Sequence, residues 1–350
     1  MKRTRVATTI LAVLAVAGVP ILLGRLASRA AEAGAAAPRR VILISVDGLR
    51  PDALDADRSP TIWQLIEEGS FHATALCELP PATLPNHTSM LTGLSVSRHG
   101  VMINYEYPGR IEQTTIFDVA KANGLRAGCF IGKSRLRWLC NEGSVEQWGL
   151  QADTAAIGEM VRQAIAADDL HLIFVHFAGT DGVGHASGWM SPEYLAEVTR
   201  VDEAVRGIRD AMAAAGILDE TVFMITADHG GHEKVHYLDI PDDRHIPIVL
   251  NGPGIAVGRR LCQPARIMDV PATVLHLLNL PTASVLDGLP LLEAAADVAP
   301  APCNQEAYFF TGVCGVLPFL VVLPAAWMSH FALRRTKHRC RNKPAVRGGP

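Results

Sequence analysis

Short, uninterrupted runs of branched apolar residues alternate along this chain with longer amphipathic stretches. VILIS at 41–45, LRAGCFIG at 125–132, LHLIFVHF at 170–177, TVFMIT at 221–226 and IPIVLNG at 246–252 read as strands buried on both faces. Between them, residues 61–70, 115–124, 154–167 and 191–216 carry helical spacing; Gly69 and Gly124 stop two of these helices, and Ser-Pro-Glu opens the last. A further helix lies within 266–281. Strand–helix alternation predicts an α/β chain, a three-layer α/β/α sandwich over a mainly parallel sheet, spanning 41–293. One stretch stands apart. In LPPATLPNHTSMLTGLSVSRHG, residues 79–100, Thr83 sits among three prolines just before a predicted helix, with Pro85 suited to its first position. Alone, Thr83 is a turn or cap residue. The same place favours negative charge, which suits a nucleophile that attacks phosphorus.

Near each end of the 350-residue chain lies an apolar run without charge. Residues 6–24 carry no charge after a basic start, so 1–40 reads as a signal peptide or an N-terminal anchor with its linker. Residues 308–333 carry no Asp, Glu, Lys or Arg and are long enough to span a bilayer; 294–307 reads as a linker to them. The basic tail at 334–350 is expected in the cytoplasm and the catalytic body on the extracytoplasmic side. The formal charge of −3 hides a segregation. Seven of the 32 Lys and Arg lie in 1–40 and seven after Leu333, leaving 18 against 34 acidic groups in the body, a formal −16. Such a body excludes a nucleic-acid scaffold and fits one that holds divalent cations. Seven cysteines without a C-x-x-C pair exclude a zinc ribbon. Export permits disulfides; Cys129 with Cys140 is the expected pair, and the odd count outside the terminal segments leaves a thiol free.

Acids and histidines collect where strands end. Asp47 follows the first strand, Asp181 and His185 follow the strand at 170–177 as D-G-V-G-H, and Asp228 and His229 follow the strand at 221–226. His236 lies eight residues beyond Asp228. Such nitrogen and oxygen ligands, from three loops at one sheet edge, suit two divalent metals with three protein ligands each and open positions for substrate. Zinc fits this mix, with manganese as the alternative.

VILISVDGLRPD, the Thr-x-Pro-Asn-His block, HGVMIN, DGVGHASGWMSPEYL, TADHGG and DVPATVLHLLNLP occur in that order. Through them the chain resembles the alkaline phosphatase superfamily, in its type I phosphodiesterase/nucleotide pyrophosphatase branch, over about residues 40–292. The resemblance implies one metal on Asp181, His185 and a later His, and a second on Asp47, Asp228 and His229. It implies Thr83 as nucleophile and Asn104, 21 residues on, as the holder of a phosphoryl oxygen. Asn86 reads as a helix cap. The later His is one of His232, His236 and His245, and the compact Asp-His-Gly-Gly spacing favours His236. Lys133 and Arg135, in G-K-S-R, resemble a Lys-x-Arg that contacts an anionic substrate group in related hydrolases.

The expected activity is metal-dependent hydrolysis of a small phosphate ester, with phosphodiester or pyrophosphate bonds favoured, through a phosphothreonine. A phosphomonoesterase using Lys133 and Arg135 is the alternative, as is a membrane-anchored phosphotransferase acting on lipid head groups. The Cys/Ser-x-Pro-x-Arg motif of sulfatases is absent around Thr83.

Overall fold

A computed structural model of the chain describes residues 38–140, 142–282 and 286–303. The elements run β1 (Arg40–Val46), α1 (Pro60–Glu67), β2 (Ser70–Leu76), α2 (Thr83–Thr92), α3 (Val96–His99), α4 (Ile116–Ala122), β3 (Ala127–Ile131), β4 (Gln147–Leu150) and α5 (Thr154–Ala167). Then follow β5 (Leu172–Phe177), α6 (Gly179–Ser187), α7 (Pro192–Ala214), β6 (Thr221–Thr226), α8 (Pro241–Arg244), β7 (His245–Asn251), β8 (Arg259–Arg260) and α9 (Asp269–Leu277).

Among the described residues the strands form one sheet in the order β4-β3-β5-β1-β6-β7-β2-β8. The run from β4 to β6 is parallel, and β7 is antiparallel to both neighbours. Helices α1, α5 and α6 pack with α7 on one side, and α2, α4 and α9 pack together on the other. This is the expected sandwich. The all-apolar runs are its centre: every residue of β1, β5 and β6 is buried. Each fully buried Ile, Leu or Val there contributes roughly 1.5–3 kcal/mol relative to exposure.

The register decides what meets at the sheet edge. Ser45 of β1 pairs with His176 of β5 and with Thr226 of β6, so three strands end side by side. Asp47, α6 and Asp228 therefore emerge at one place. Gly48 makes the first turn possible, since its φ of +70° is poorly tolerated with a side chain and a Cβ there would press on Trp189 and Asp181.

Several expectations change. Strands β2, β4 and β8 were not foreseen; they are short or partly exposed and lie at or next to the sheet edges, where the apolar signal is weak. Helix α2 begins at Thr83 with Ala82 as N-cap, so Pro85 is the third helical residue and not the first. It is tolerated there because the first four helical N–H groups lack intrahelical partners. Asn86 does not cap α2. Its side chain accepts from Glu78 N and donates to the carbonyls of Glu78, Pro80 and Ala82, holding the incoming loop. Asp181 and His185 lie on helix α6, not in a loop.

Cys129 is bonded to Cys140 as expected, Cys262 is bonded to Cys303, and Cys77 is a buried free thiol. Residues of the segment 294–307 that are described are attached to the domain, through Ala256 N on Ala294 O at 2.9 Å and through the Cys303 bridge. Among the described residues no helix is long and apolar enough to cross a membrane. The runs at 6–24 and 308–333, and the tail at 334–350, lie outside the described residues.

Candidate active site

Three histidines at the sheet edge share one arrangement. The Nδ1 of His185 lies 2.9 Å from Lys234 O, that of His236 2.6 Å from Pro81 O, and that of His229 2.8 Å from Gly230 O. A carbonyl can only accept, so each Nδ1 carries the proton and each Nε2 presents a lone pair. This is how metal-binding histidines are oriented.

The Nε2 atoms of His185 and His236 are 3.1 Å apart, and each is 3.4 or 3.6 Å from Asp181 Oδ1. His229 Nε2 lies 3.4 Å from Asp228 Oδ2 and 3.5 Å from Asp47 Oδ1. A tetrahedral cation with ligands at about 2.1 Å separates them by about 3.4 Å. Moreover, Asp47 Oδ1, Asp181 Oδ1, Asp228 Oδ2 and His229 Nε2 are buried without a hydrogen-bond partner. Buried polar atoms are ordinarily paired, so the unpaired set is a candidate place for cations. The residues therefore fit two divalent ions. Asp181 is shared geometrically: its carboxylate also lies with Asp47 and His229 within ligand range.

The second oxygens are fixed from outside. Asp228 Oδ1 accepts from Gly48 N and His229 N, both at 3.0 Å. Asp47 Oδ2 accepts from His176 Nε2 at 3.0 Å, while His176 Nδ1 accepts from Gly132 N at 3.0 Å. Trp189 donates to Gly48 O and sets its indole edge-on to His185 at 5.1 Å.

Thr83 is the first residue of α2, almost fully buried, and accepts from Lys133 Nζ at 3.2 Å. The same ammonium lies 2.6 Å from Asp47 Oδ2 and 2.6 Å from Asp181 Oδ2. Burial would discharge Lys133, but Asp47, Asp181 and Asp228 outweigh it and raise its pKa well above the usual lysine range. Burial likewise opposes ionisation of Asp47, yet Lys133 and His176 hold its pKa well below that of a free carboxylate. Asp228 goes the other way: burial, then the Asp47 charge, raise it well above. Asp47 and Asp181 share one ammonium with Asp228 close by, a crowding of acids that divalent ions would offset.

Asn104 is exposed, and its Oδ1 accepts from Leu84 N at 2.8 Å, capping the start of α2 and leaving its amide hydrogens free to donate. Arg135 does not reach Thr83; it is half-buried and lines a neighbouring cavity. Of the three histidines left open by the spacing, only His236 joins Asp181 and His185. His232 bonds Asp243 Oδ1 at 2.6 Å, and His245 opens strand β7. The sequence reading missed His176, His87 and Trp189. His87 spans from Thr83 O at 2.7 Å to Ser45 Oγ at 2.9 Å, and burial lowers its pKa well below the usual value, leaving it neutral. The available signal was His176 itself, a polar residue inside an otherwise apolar strand.

A threonine hydroxyl at a helix start, set against two Asp/His groups where parallel strands end, is the arrangement of the alkaline phosphatase superfamily, and the sandwich is its fold. Within that superfamily, the profile of the type I phosphodiesterase/nucleotide pyrophosphatase family matches residues 41–260, and the chain belongs to this family.

Human ectonucleotide pyrophosphatase/phosphodiesterase family member 7 is 24% identical over 220 residues, 55% of this chain and 47% of that protein. A 2,3-bisphosphoglycerate-independent phosphoglycerate mutase of Cereibacter sphaeroides is 30% identical over 268 residues, 68% of this chain and 50% of its own. The chain spans about half the length of these curated relatives. Murine ectonucleotide pyrophosphatase/phosphodiesterase 5, solved in complex with AMP, superposes with a TM-score of 0.59 at 16% identity, over 70% of this chain and 96% of its own. A phosphonate monoester hydrolase from Silicibacter pomeroyi gives 0.62 at 15% identity, over 75% and 77%. At such identities the two structures speak for the fold alone.

Proposed function

We propose that this chain hydrolyses phosphate esters, with Thr83 Oγ1 as nucleophile and divalent cations held by Asp181, His185 and His236 and by Asp47, Asp228 and His229. The observation that carries the reading is the Thr83 hydroxyl on Lys133 Nζ, itself 2.6 Å from Asp47 and from Asp181, which puts the hydroxyl against both ligand groups. The cations, when bound, supply the positive charge that lowers the hydroxyl pKa and draws charge off the phosphoryl oxygens. Zinc is favoured by the imidazole-rich sets and manganese is the alternative.

The protein groups do the rest. Lys133 donates to the Thr83 oxygen and so stabilises its deprotonated form. Residues Thr83 and Leu84 are held by the Asn104 cap, so the hydroxyl is positioned before substrate arrives. The Asn104 amide hydrogens are the donors offered to a non-bridging oxygen. Attack at phosphorus forms a phosphothreonine and releases the alcohol, and water then frees phosphate and restores Thr83.

Lys133 also bears on substrate class. A fixed ammonium beside the nucleophile favours the dianionic phosphate of a monoester. The family's description supports the second reading, diester or pyrophosphate hydrolysis. Purified protein assayed on p-nitrophenyl phosphate and on bis(p-nitrophenyl) phosphate separates the two. Lys133→Met is expected to lower kcat/KM for the monoester by more than for the diester; the reverse order selects the diester. Full activity in Thr83→Ala, or activity indifferent to chelation, would sink the mechanism. An alcohol acceptor that captures the phosphoryl group would indicate a transferase instead.

We also read the catalytic body as exported and attached to a membrane through 308–333, with 6–24 as a signal peptide or a second anchor. The charge-free runs support this, as do two disulfides in the body, which fit an oxidising compartment.

A further inference from the structure

A cavity of about 550 Å³ lies between the segments that follow Lys133 and Asn104 in the chain. Its walls come from the two segments that serve Thr83. One follows Lys133 directly, through Ser134 to Trp138; the other follows Asn104, through Glu106 to Arg110. The segments are tied together: Ser134 Oγ donates to Glu106 Oε1 at 2.7 Å, and Ile111 N donates to Trp138 O at 3.0 Å. The Cys129–Cys140 bridge anchors the far end of the Lys133 segment to strand β3. The cavity is thus built from short, cross-linked pieces, not from a free loop.

Its lining has a definite chemistry. Tyr107 and Trp138 both line it and stack on each other at 4.8 Å, giving it aromatic surface. Five charged side chains line it, three of them arginines. Glu142 is taken by Arg137 at 2.6 Å, and Arg137 lies over the Trp148 ring. Glu106 accepts from Ser134. Among the described residues, Arg110 and Arg135 have no acidic partner. Arg110 is exposed and Arg135 half-buried, so two guanidiniums without an acidic partner line one cavity beside aromatic rings in a chain whose body is strongly acidic.

We infer that this cavity is the subsite for the alcohol side of the substrate, and that it takes a flat or ring-bearing group carrying its own oxyanion, a carboxylate or second phosphate, on Arg110 and Arg135. The inference rests on the proposed phosphoester hydrolysis and adds the substrate class. Guanidinium forks match planar and tetrahedral oxyanions through paired hydrogen bonds, and the aromatic surface receives the ring.

The test uses a matched pair, 4-carboxyphenyl phosphate and 4-carbamoylphenyl phosphate, which differ in charge but little in shape. A bisphosphate arm, 1,4-phenylene bisphosphate, distinguishes a carboxylate preference from a phosphate one. The wild-type protein is expected to show kcat/KM about tenfold higher for the carboxylate than for the amide, the scale of one charge-assisted contact. The ratio should fall to near one in Arg110→Gln/Arg135→Gln and below one in Arg110→Glu. Both substrates are read on one preparation, so loss of folded protein cancels from the ratio. A wild-type ratio at or below one, or a ratio unchanged in the double variant, overturns the subsite while leaving phosphoester hydrolysis standing.

If neither ester is hydrolysed, the reaction reading fails, and the subsite is then judged from thermal shifts with the same two compounds. A larger rise in Tm with the carboxylate, lost in the double variant, supports it. Equal rises overturn it.

Discussion

His185 Nε2 and His236 Nε2 face each other across 3.1 Å while both Nδ1 protons are engaged by backbone carbonyls. Two lone pairs and the Asp181 carboxylate then converge on one point, an arrangement that repels itself unless a cation lies between. His236→Ala removes one of the three proposed ligands and leaves the Asp47, Asp228 and His229 set intact. Elemental analysis of the purified variant should find about one metal ion fewer per chain than in the wild type. Equal content would show that His236 holds no metal.

His232 provides the contrast. Its Nδ1 is 2.6 Å from Asp243 Oδ1, and Asp243 is fully buried, with Oδ2 accepting from Leu238 N at 2.7 Å. His232→Ala should cost about 1–3 kcal/mol in denaturant unfolding, because a buried carboxylate loses a partner, and should leave metal content unchanged. Lost metal with unchanged stability would reverse the roles of His232 and His236.

The second glycine of Asp-His-Gly-Gly has a packing reason. A Cβ on Gly231 would overlap the Trp189 indole, a rigid group that cannot swing aside cheaply. Trp189 is wedged against His185 at 5.1 Å and His236 at 5.8 Å. Gly231→Ala should therefore weaken metal binding and cost about 1–3 kcal/mol of stability. Competition with a chelator measures the first and denaturant unfolding the second; wild-type behaviour in both would remove Trp189 as a support for the ligands.

His99 makes stability depend on pH. Burial lowers its pKa from 6.5 to about 4. Its Nδ1 accepts from Val101 N at 3.0 Å, which only the neutral ring can do. The folded state thus prefers neutral His99 while the unfolded chain takes up a proton near pH 6.5. The contribution is complete above pH 6.5, shrinks as pH falls toward 4, and changes by at most about 1.4 kcal/mol per pH unit. Between pH 7 and 4.5 the wild type should lose roughly 1–3 kcal/mol more than His99→Gln in urea unfolding. Parallel curves would exclude the histidine.

Much of the fold was legible because burial on both faces leaves a local mark. The apolar runs of β1, β5 and β6 mark the centre of the sheet, and the polar residues within a few positions of the ends of β1 and β6, Asp47, Asp228 and His229, mark its working edge. The edge strands β4 and β8, and β2 beside β8, carry weaker marks, and β8 is two residues long. The bond between Cys262 and Cys303 leaves none, since a 41-residue separation imposes no periodicity.

The chain order alone determined the alternation of elements, the donor types and the hydroxyl at a helix start, because periodicity and capping act over a few residues. Tertiary structure alone decided which histidine completes the Asp181 group, that Lys133 meets Thr83 across 50 positions while Arg135 lines the neighbouring cavity, and that His176 braces Asp47 from 129 positions away. Those distances follow from strand order and register, which place β5, β1 and β6 side by side, and no local pattern records which strands will be neighbours.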